Sequence, residues 1–374
     1  MQHEPIRVLH MIASLNIGGS QSFVMNLYRN IDREKIQFDF IIDKPDETEL
    51  KDEIESLGGR VYVLPTFKGI NILEVRKAWD NFFFDHPKYK ILHTHSRSYA
   101  SVYLPIAKKY GLITIAHSHS TSNGSGKTAW IKDLMQLPIR YQADYLFACS
   151  QEAGEWLFGK KATRSERFKV IPNAIDAKKF AFDPSKREKI RSELGLKDSY
   201  VLGHVGRMTE PKNHMFLLQV FKSVREKRNN AKLLLIGDGE LMEKIKAEAG
   251  RLGVIDDVLF MGTKSNTYDY YQAMDVFAFP SLWEGLPVTI VEAQSAGLPC
   301  YISSNISDDV CISSLVHKLP IDEGVNEWVY SIINTKINMR FLGREIQNTD
   351  FDIQKATELV SDIYCFGLCD LQGK

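Results

Sequence analysis

Short apolar segments with β propensity alternate with helix-like segments along most of the chain. The first series runs from residues 7–12 to residues 168–172, and a second begins at 201–205, after a charged stretch near 183–197. Alternation of strand and helix predicts parallel strands joined by crossover helices. The sequence therefore predicts an α/β protein with two Rossmann-like, doubly wound domains that face each other across a cleft, the default ligand site.

The chain length agrees with two domains. At 374 residues it is too long for one ordinary hydrophobic core. We place the domain boundary so that residues 1–178 form the N-terminal domain and residues 179–350 the C-terminal domain.

Three features of the sequence predict a cytoplasmic protein. No run of 18 or more apolar residues occurs, so no spanning helix is expected. The first ten residues lack the apolar core of a signal peptide. The five cysteines are odd in number and form no Cys-x-x-Cys pair, which favours reduced thiols.

Charge is unevenly distributed although the formal net charge is zero. Residues 86–170 carry 13 Lys/Arg against 5 Asp/Glu, a balance of +8, and we call this segment the basic band. It is either a solvated face or a surface that contacts an anionic membrane reversibly. Nucleic acid is not expected as a partner, because no nucleic-acid-binding motif accompanies the charge.

Aromatic residues accompany the lysines of the basic band. Lys127 and Lys132 flank Trp130, and Lys160 and Lys161 follow Trp156 and Phe158. In the membrane interpretation these tryptophans and Phe158 enter the interface. In the alternative, Trp130 and Trp156 are buried helix positions.

A strand-loop-helix segment at 276–296 carries the most informative motif. Residues 276–279 predict a buried strand, and 288–296 predict a helix. The loop between them places free backbone N–H groups at the carboxyl edge of the sheet, where anions bind. Glu284 lies in the loop and Glu292 in the second helical turn. For either acid alone, a solvated charge is the simpler interpretation.

The spacing Glu284-x7-Glu292, with Phe-x-Pro-Ser ahead and Ala-Gly-Leu-Pro behind, resembles the Glu-x7-Glu signature of retaining glycosyltransferases of family 4, which have the GT-B fold. The opening segment and the His117-Ser-His119 element are most similar to bacterial enzymes of exopolysaccharide or capsule assembly. The resemblance implies a donor-binding C-terminal domain, an acceptor-binding N-terminal domain, and a last helix at about 353–366 that returns to the N-terminal domain.

The implied reaction moves a hexose or N-acetylhexosamine from a UDP-sugar to a hydroxyl of a saccharide or lipid-linked saccharide. A retaining glycosidase has two carboxylates close to the scissile bond, and no such pair is evident here. The resemblance instead favours internal return, in which the leaving phosphate oxygen takes the acceptor proton.

Two further loops of the C-terminal half resemble donor-binding segments of this family. Gly206, Arg207 and Lys212 lie between a strand and a helix that starts at about residue 214, and they resemble the Gly-Arg…Lys pair that binds the donor diphosphate. Gly262 and Thr263 follow another strand, in a loop that approaches the nucleotide base in the family. Taken alone, both loops are consistent with ordinary solvated turns.

Two segments of the N-terminal half also resemble the family. Gly18 and Gly19 match its Gly-Gly-x-Glu loop, but Gln21 replaces the acid. Asn173 lies in a Pro-Asn-Ala-x-Asp segment in which Ala174 replaces the usual glycine. A simple turn with an Asx hydrogen bond is the alternative for Asn173.

Two histidine pairs with a spacing of two lie at the C-terminal ends of predicted strands: His93 with His95, and His117 with His119. This spacing places each pair on one strand face, which raises a metal site. No carboxylate or cysteine completes the ligand set, so we expect no metal. The resemblance places His117 at the donor sugar, with His119 as the fallback because the strand register is uncertain.

The resemblance assigns catalytic roles to His117, Arg207, Lys212 and Glu284, and donor binding to Gly18, Gly19, Asn173, Gly206, Thr263, Gly285, Leu286, Pro287, Val288 and Glu292. No cofactor is expected, because two cations and a helix N-terminus supply the charge of a divalent ion.

Three other functions compete with transfer. An epimerase of nucleotide sugars has the same fold but needs acid and base residues that we cannot identify in this chain. A Rossmann oxidoreductase is disfavoured because the glycine loop lacks the third glycine of Gly-x-Gly-x-x-Gly. A sugar-nucleotide sensor would share the binding motifs without turnover.

Overall fold

The computed structural model describes residues 4–16, 18–120, 127–335, 340, 346–347 and 349–372, without the side chains of 127–129 and 366–372. The chain forms two compact units: Met1–Ala174 with Ile353–Lys374, and Ile175–Asp352. We call them the N-terminal unit and the C-terminal unit. The first boundary falls at 174/175, compared with 178/179 from the sequence.

The N-terminal unit contains a seven-stranded parallel sheet in the order β3-β2-β1-β4-β5-β6-β7. Its strands are β1 (Ile6–Met11), β2 (Ile36–Ile42), β3 (Val61–Val63), β4 (Ile91–Thr94), β5 (Ile113–Ser118), β6 (Tyr145–Ala148) and β7 (Phe168–Val170). Its helices are α1 (Gly19–Asn30), α2 (Lys51–Ser56), α3 (Ile72–Asp85), α4 (Ala100–Lys109), α5 (Lys127–Gln136), α6 (Ile139–Gln142) and α7 (Gln151–Phe158).

The C-terminal unit contains a six-stranded parallel sheet in the order β10-β9-β8-β11-β12-β13. Its strands are β8 (Tyr200–Val205), β9 (Ala231–Ile236), β10 (Val258–Phe260), β11 (Val276–Phe279), β12 (Cys300–Ser303) and β13 (Val316–Leu319). Its helices are α8 (Ala177–Phe180), α9 (Pro184–Glu193), α10 (His214–Lys227), α11 (Met242–Arg251), α12 (Thr267–Ala273), α13 (Val288–Ser295) and α14 (Val325–Ile333).

The last helix, α15 (Ile353–Gln372), belongs to the N-terminal unit. Its residues Ile353, Ala356, Val360 and Tyr364 are buried in the core that also contains Phe23 and Phe38. This apolar stripe has helical spacing, so one face of α15 covers the sheet.

The parallel sheets follow from the composition of their central strands. Every residue of β8 and of β11 is buried, as expected for strands covered by helices on both faces. The prediction of two Rossmann-like, parallel-sheet domains is therefore confirmed. No described helix has the length and apolar character needed to cross a membrane.

Each strand order contains a point at which the winding direction reverses. In the N-terminal unit it lies between β1 and β4, and in the C-terminal unit between β8 and β11. Loops at the carboxyl ends of the two strands diverge there and leave a crevice, where ligands of α/β sheets bind. Ligand sites are therefore expected at these two switch points.

Candidate functional site

An ion pair occupies the switch point of the C-terminal unit. Lys212, in the loop after β8, lies 2.6 Å through Nζ from Oε1 of Glu284, in the loop after β11. Their side chains are only 17% and 15% exposed. The Lys212 ammonium also lies 4.6 Å from the ring centroid of Phe279, at the end of β11. A charged group of each sign is thus held, largely out of solvent, at the carboxyl edge of the sheet.

The loop after β8 packs directly on the loop after β9. The N–H of Gly206 donates to Ile236 O at 3.0 Å, and that of Met208 donates to Asp238 O at 2.9 Å. A Cβ on Gly237, which has a φ of +132°, would lie 2.1 Å from Gly206 O. Only glycine permits this approach, so the two loops form one surface.

Arg207 is on the outside of this surface. Its side chain is exposed and forms no hydrogen bond or ion pair within the part of the chain that the structure describes. It therefore differs from Lys212, whose charge is already compensated by Glu284. A guanidinium in this position can bind an incoming phosphate bidentately.

Helix α13 begins with unsatisfied donors beside this pair. The backbone N–H groups of Val288 and Thr289 have no partner among the described residues, and no side chain caps the helix at Pro287. The Oγ1 of Thr289 is likewise buried and unpartnered within the described structure. A helix N-terminus with free N–H groups favours an anion.

The residues around the start of α13 differ in role. Gly285 is exposed, and a Cβ there would meet no atom within 4 Å, so its backbone is accessible. Leu286 and Val288 pack against the hydrophobic core of the unit, and Pro287 is buried. These three fix the path of the loop, and the loop presents its N–H groups.

Glu292 lies in the second turn of α13, half-buried. Its Oε2 accepts a hydrogen bond of 2.8 Å from the hydroxyl of Tyr271 on α12. Burial raises the pKa of Glu292 to about 7, although the Tyr271 hydrogen bond acts in the opposite direction. Within the described residues Oε1 has no partner, so this carboxyl retains acceptor capacity.

Thr263 is exposed after β10. The preceding Gly262 has a φ of +65°, and its carbonyl accepts from Gly237 N at 2.9 Å. Since β10, β9, β8 and β11 are consecutive in the sheet, the predicted residues of the C-terminal unit all lie at or near one edge.

Two buried histidines near Lys212 were not predicted as site residues from the sequence. The rings of His204 and His214 pack at 4.7 Å. Burial lowers the pKa of both, so both are neutral near pH 7. Neither ring nitrogen of His214 has a partner among the described residues. Their sequence signal was weak, because one lies within a strand and the other at a helix start.

In the N-terminal unit, five histidines form one buried cluster at the ends of β1, β4 and β5. His93 Nε2 lies 3.2 Å from His117 Nδ1, and His93 Nδ1 lies 2.6 Å from the hydroxyl of Tyr364 on α15. A second series of ring contacts joins His10 Nδ1 to His95 Nε2 at 3.1 Å and His95 Nδ1 to His119 Nε2 at 2.8 Å.

Of the residues predicted in this unit, Asn173 contacts the cluster and His117 belongs to it. His119 Nδ1 lies 3.2 Å from Oδ1 of Asn173. Asn173 therefore anchors the hydrogen-bonded series His10–His95–His119 rather than making a simple turn. His117 lies inside β5 and is buried, and its Nε2 has no partner among the described residues. Burial lowers the pKa of His119 to about 4 and that of His117 well below its usual value. Both rings are therefore neutral.

The cluster contains two overlapping sets of three possible metal ligands. The ligand atoms of His10, His93 and His95 lie within 4.8 Å of one another, as do those of His95, His117 and His119. Imidazole is a common transition-metal ligand, so these sets fit such an ion by residue type. The hydrogen bonds among the rings explain the cluster equally well without one. The sequence pattern indicated two separate histidine pairs, and His10 was not among them.

Carboxylates do not join either set within the described structure. One Asp-x-Asp pattern does occur, at Asp350-Phe351-Asp352. It lies just before α15, and the backbone of Asp352 forms a β-bridge with Ile175. Metal independence therefore remains a prediction.

The glycine loop after β1 leads into α1. Gly18 is its N-cap and provides no side-chain cap. The Gln21 amide donates to Ser14 O at 3.2 Å and to Ser14 Oγ at 3.3 Å. The residue that replaces the acid of the family motif thus ties the helix to the end of β1.

The aromatic residues of the basic band have different environments. Trp130 is 67% exposed on α5 and Phe158 is fully buried, so the prediction that Phe158 enters a membrane interface is wrong. Trp156 is half-buried, and the Arg97 guanidinium lies 5.4 Å from its ring centroid. The side chain of Lys127 is outside the described residues.

The fold and the candidate site define a protein with two Rossmann-like domains, in which cationic side chains and free N–H groups lie at the sheet edge of the C-terminal one. The family model for Glycosyltransferase Family 4 matches residues 17–179, and that for Glycosyl transferases group 1 matches residues 186–311. The chain therefore belongs to the glycosyltransferases of group 1 and family 4.

Two relatives that match nearly the whole chain are named as glycosyltransferases. The chain is 34% identical to the putative glycosyltransferase EpsF of Bacillus subtilis over 370 residues, 96% of each chain. It is 26% identical, over 97% of each chain, to the UDP-Gal:alpha-D-GlcNAc-diphosphoundecaprenol alpha-1,3-galactosyltransferase of Escherichia coli.

Solved structures share the fold. HepE of Anabaena, in complex with UDP and glucose, superimposes with a TM-score of 0.78 at 17% identity, over 96% of this chain and 99% of that one. WaaG, a glycosyltransferase of lipopolysaccharide biosynthesis, does so with a TM-score of 0.71 at 18% identity, over 96% and 99% of the chains.

Proposed function

We propose that this glycosyltransferase transfers a hexose or N-acetylhexosamine, with retention, from a UDP-sugar to a hydroxyl of a lipid-linked saccharide in surface polysaccharide assembly. The observation that carries the proposal is the Lys212–Glu284 ion pair at the β8–β11 switch point. It combines a cation for a diphosphate with a carboxylate for sugar hydroxyls. The free N–H groups at the start of α13 lie in the same loop region.

The donor diphosphate would be bound by Lys212, by Arg207 and by the N–H groups that begin α13. These groups stabilise the negative charge that develops as the bond from the anomeric carbon to the phosphate oxygen breaks. Because the fold already orients Lys212 and the N–H groups of α13, these donors need little reorganisation during the reaction.

Glu284 would accept hydrogen bonds from hydroxyls of the transferred sugar, and Glu292 from those of the ribose. Because Glu284 is already paired with Lys212, we assign it to positioning the sugar rather than to forming a covalent intermediate. In this proposal the acceptor hydroxyl attacks the face from which UDP departs. The leaving phosphate oxygen takes the acceptor proton, and the configuration is retained.

The role proposed for His117 requires a free ring nitrogen, and its Nε2 has no partner among the described residues. The ring is neutral, so Nε2 can donate or accept according to its tautomer. His93, at 3.2 Å, fixes the other nitrogen. His119 remains the alternative.

The relatives' names support the substrate classes. The Escherichia coli relative acts with UDP-Gal on a diphosphoundecaprenol-linked sugar, and HepE was solved with UDP and glucose. The family matched in both halves is one of glycosyltransferases, which favours transfer over epimerisation. For this chain the sugar and the acceptor remain part of the proposal.

A peripheral position at the inner face of the membrane completes the proposal. It is supported by the basic band and by Trp130, which is 67% exposed. An acceptor with a lipid anchor would lie at the same surface. We propose no cofactor.

The test is an assay of the purified protein with a panel of nucleotide sugars, with and without a lipid-linked saccharide in vesicles. Transfer requires UDP release that depends on the acceptor and a product one sugar longer. Conversion of the nucleotide sugar without an acceptor would indicate an epimerase. Binding of UDP without turnover on any acceptor would indicate a sensor, and either result would overturn the proposal.

A further inference from the structure

The N-terminal unit has a cavity of about 630 Å³ at its own switch point. Ile12, Ser20 and Gln21 line it from the loop and helix after β1, and His95 to Tyr99 line it from the loop after β4. Phe67 to Gly69 and residues of α5 complete the wall. We call it the switch-point cavity. A crevice between diverging loops is where α/β sheets bind ligands, and none of the residues predicted to bind the donor lines this one.

The lining of the cavity is cationic. Lys68, Arg97 and Lys132 line it, and no carboxylate does so among the described residues. Asp133 interacts electrostatically with Arg97 but is not part of the lining. Lys68 and Lys132 are exposed, whereas Arg97 is half-buried over the Trp156 ring at 5.4 Å. Three cations that converge on one cavity fit a polyanion such as a diphosphate.

One wall of the cavity is aromatic. The rings of Phe67 and Tyr99 stack at 5.6 Å with an interplanar angle of 17°. The Tyr99 hydroxyl donates to Oδ2 of Asp43 at 2.8 Å, which holds the ring in place. The stacked pair offers a flat apolar surface beside the cations, suited to the apolar face of a sugar ring.

Large apolar side chains are exposed close in sequence to lining residues of the cavity, and we call them the rim residues. Just beyond Gly69, Ile70 is 93% exposed and Leu73 is 79% exposed. On α5, beside the lining residue Lys132, Trp130 and Leu134 are 67% and 54% exposed. A cationic cavity with an apolar rim has the pattern of a site for an amphiphile whose anionic head lies next to a long apolar chain.

We propose that the switch-point cavity binds the diphosphate of a saccharide linked through that diphosphate to a long-chain lipid, with the rim residues in contact with the bilayer. This inference rests on the proposed glycosyl transfer to a lipid-linked acceptor and adds the position of the diphosphate. Lys68, Arg97 and Lys132 bind the phosphates. Trp130, Leu134, Ile70 and Leu73 enter the interface.

The test is a binding measurement that needs no turnover. Two kinds of phosphatidylcholine vesicle are compared by co-sedimentation. One contains a polyprenyl diphosphate, and the other has the same surface charge supplied by phosphatidylglycerol. The wild-type protein should bind the diphosphate vesicles about tenfold more tightly. Equal binding to the two preparations, or no binding to either, would overturn the inference and leave only general attraction to an anionic surface or none.

Variants then locate the site. Arg97→Gln with Lys132→Gln should remove the preference for diphosphate vesicles. Lys160→Gln with Lys161→Gln makes the same charge change elsewhere in the basic band, at exposed positions, and should retain it. Equal losses in both double variants would refute the site. Lys68→Gln, a change at an exposed side chain, should weaken binding severalfold by itself, and unchanged binding would count against the cavity.

Kinetics separate this inference from the proposed function. If the wild-type protein transfers sugar, the Arg97/Lys132 variant should raise the KM for the lipid diphosphate acceptor about tenfold. Its KM for the same saccharide as a diphosphate-free glycoside, and its affinity for UDP, should not change. Absence of transfer on every acceptor would defeat the proposed function, whereas the vesicle result would still decide the cavity.

Discussion

The Lys212–Glu284 ion pair gives the sharpest prediction, because Glu284→Gln should have opposite effects on stability and on UDP affinity. Removal of one partner of a fully buried pair costs about 3–5 kcal/mol. These side chains keep 17% and 15% exposure, so solvent relieves part of the cost, and we expect about 2 kcal/mol. For a unit of this size, that corresponds to a fall in Tm of about 4–8 °C.

UDP affinity should move in the other direction. In the free protein Glu284 compensates the charge of Lys212 and repels a diphosphate. In Glu284→Gln the ammonium is unpaired, and UDP supplies the missing anion. We expect UDP to bind about fivefold more tightly, or about 1 kcal/mol, and to raise the Tm by more than it does in wild type. Turnover should nevertheless fall at least a hundredfold, because the sugar loses its positioning acceptor.

The assays are calorimetric titration with UDP, thermal unfolding with and without UDP, and steady-state transfer. Lys212→Met should weaken both UDP binding and turnover. Glu226→Gln is the matched control, because Glu226 pairs with Lys222 on the exposed face of α10, with side chains 61% and 44% exposed. It should change stability by less than about 0.5 kcal/mol. Weaker UDP binding in Glu284→Gln, with an unchanged Tm, would refute the reasoning.

Three further predictions concern donor binding and metal use. Burial raises the pKa of Glu292 to about 7, and we propose that its carboxylate form accepts from ribose, so UDP affinity should fall about tenfold from pH 8 to pH 6. Glu292→Gln should bind UDP more weakly at pH 8 and lose this slope, and an equal slope in calorimetry would contradict the assignment. The transfer rate should be the same with and without EDTA. If EDTA removed activity and Mg²⁺ or Mn²⁺ restored it, the donor-site assignment would be contradicted. Restoration by Zn²⁺ alone would implicate the histidine cluster. His117→Ala should lower kcat more than His119→Ala, and the reverse order would move the sugar contact to His119.

The fold was largely predictable because its strands have an unambiguous pattern. The run at 276–279 is apolar throughout and is buried throughout as β11. Strand β13 has no such pattern, since Val316–Leu319 lies at the sheet edge and only Leu319 is buried. Strand β5 extends to Ser118, because Ala148 on β6 continues the pairing.

For the candidate site, the sequence motifs name single residues but not their arrangement. The motifs identified Lys212 and Glu284 separately, yet their contact depends on β8 and β11 being neighbours in the sheet. The hydrogen bond from Tyr271 to Glu292 has no sequence signal, because it joins two helices. His10 was missed because a histidine within an apolar strand resembles an ordinary core residue until β1 and β4 are seen to pair.

The central claim is retaining transfer from a nucleotide sugar, and proton NMR of the purified product tests it most directly. With an α-linked UDP-sugar as donor and a lipid-linked saccharide as acceptor, the account predicts a single new α-anomeric signal with one UDP released for each linkage formed. The signal should be lost in Glu284→Gln although that variant binds UDP. A β-anomeric product, or UDP release without a new linkage, would contradict the account.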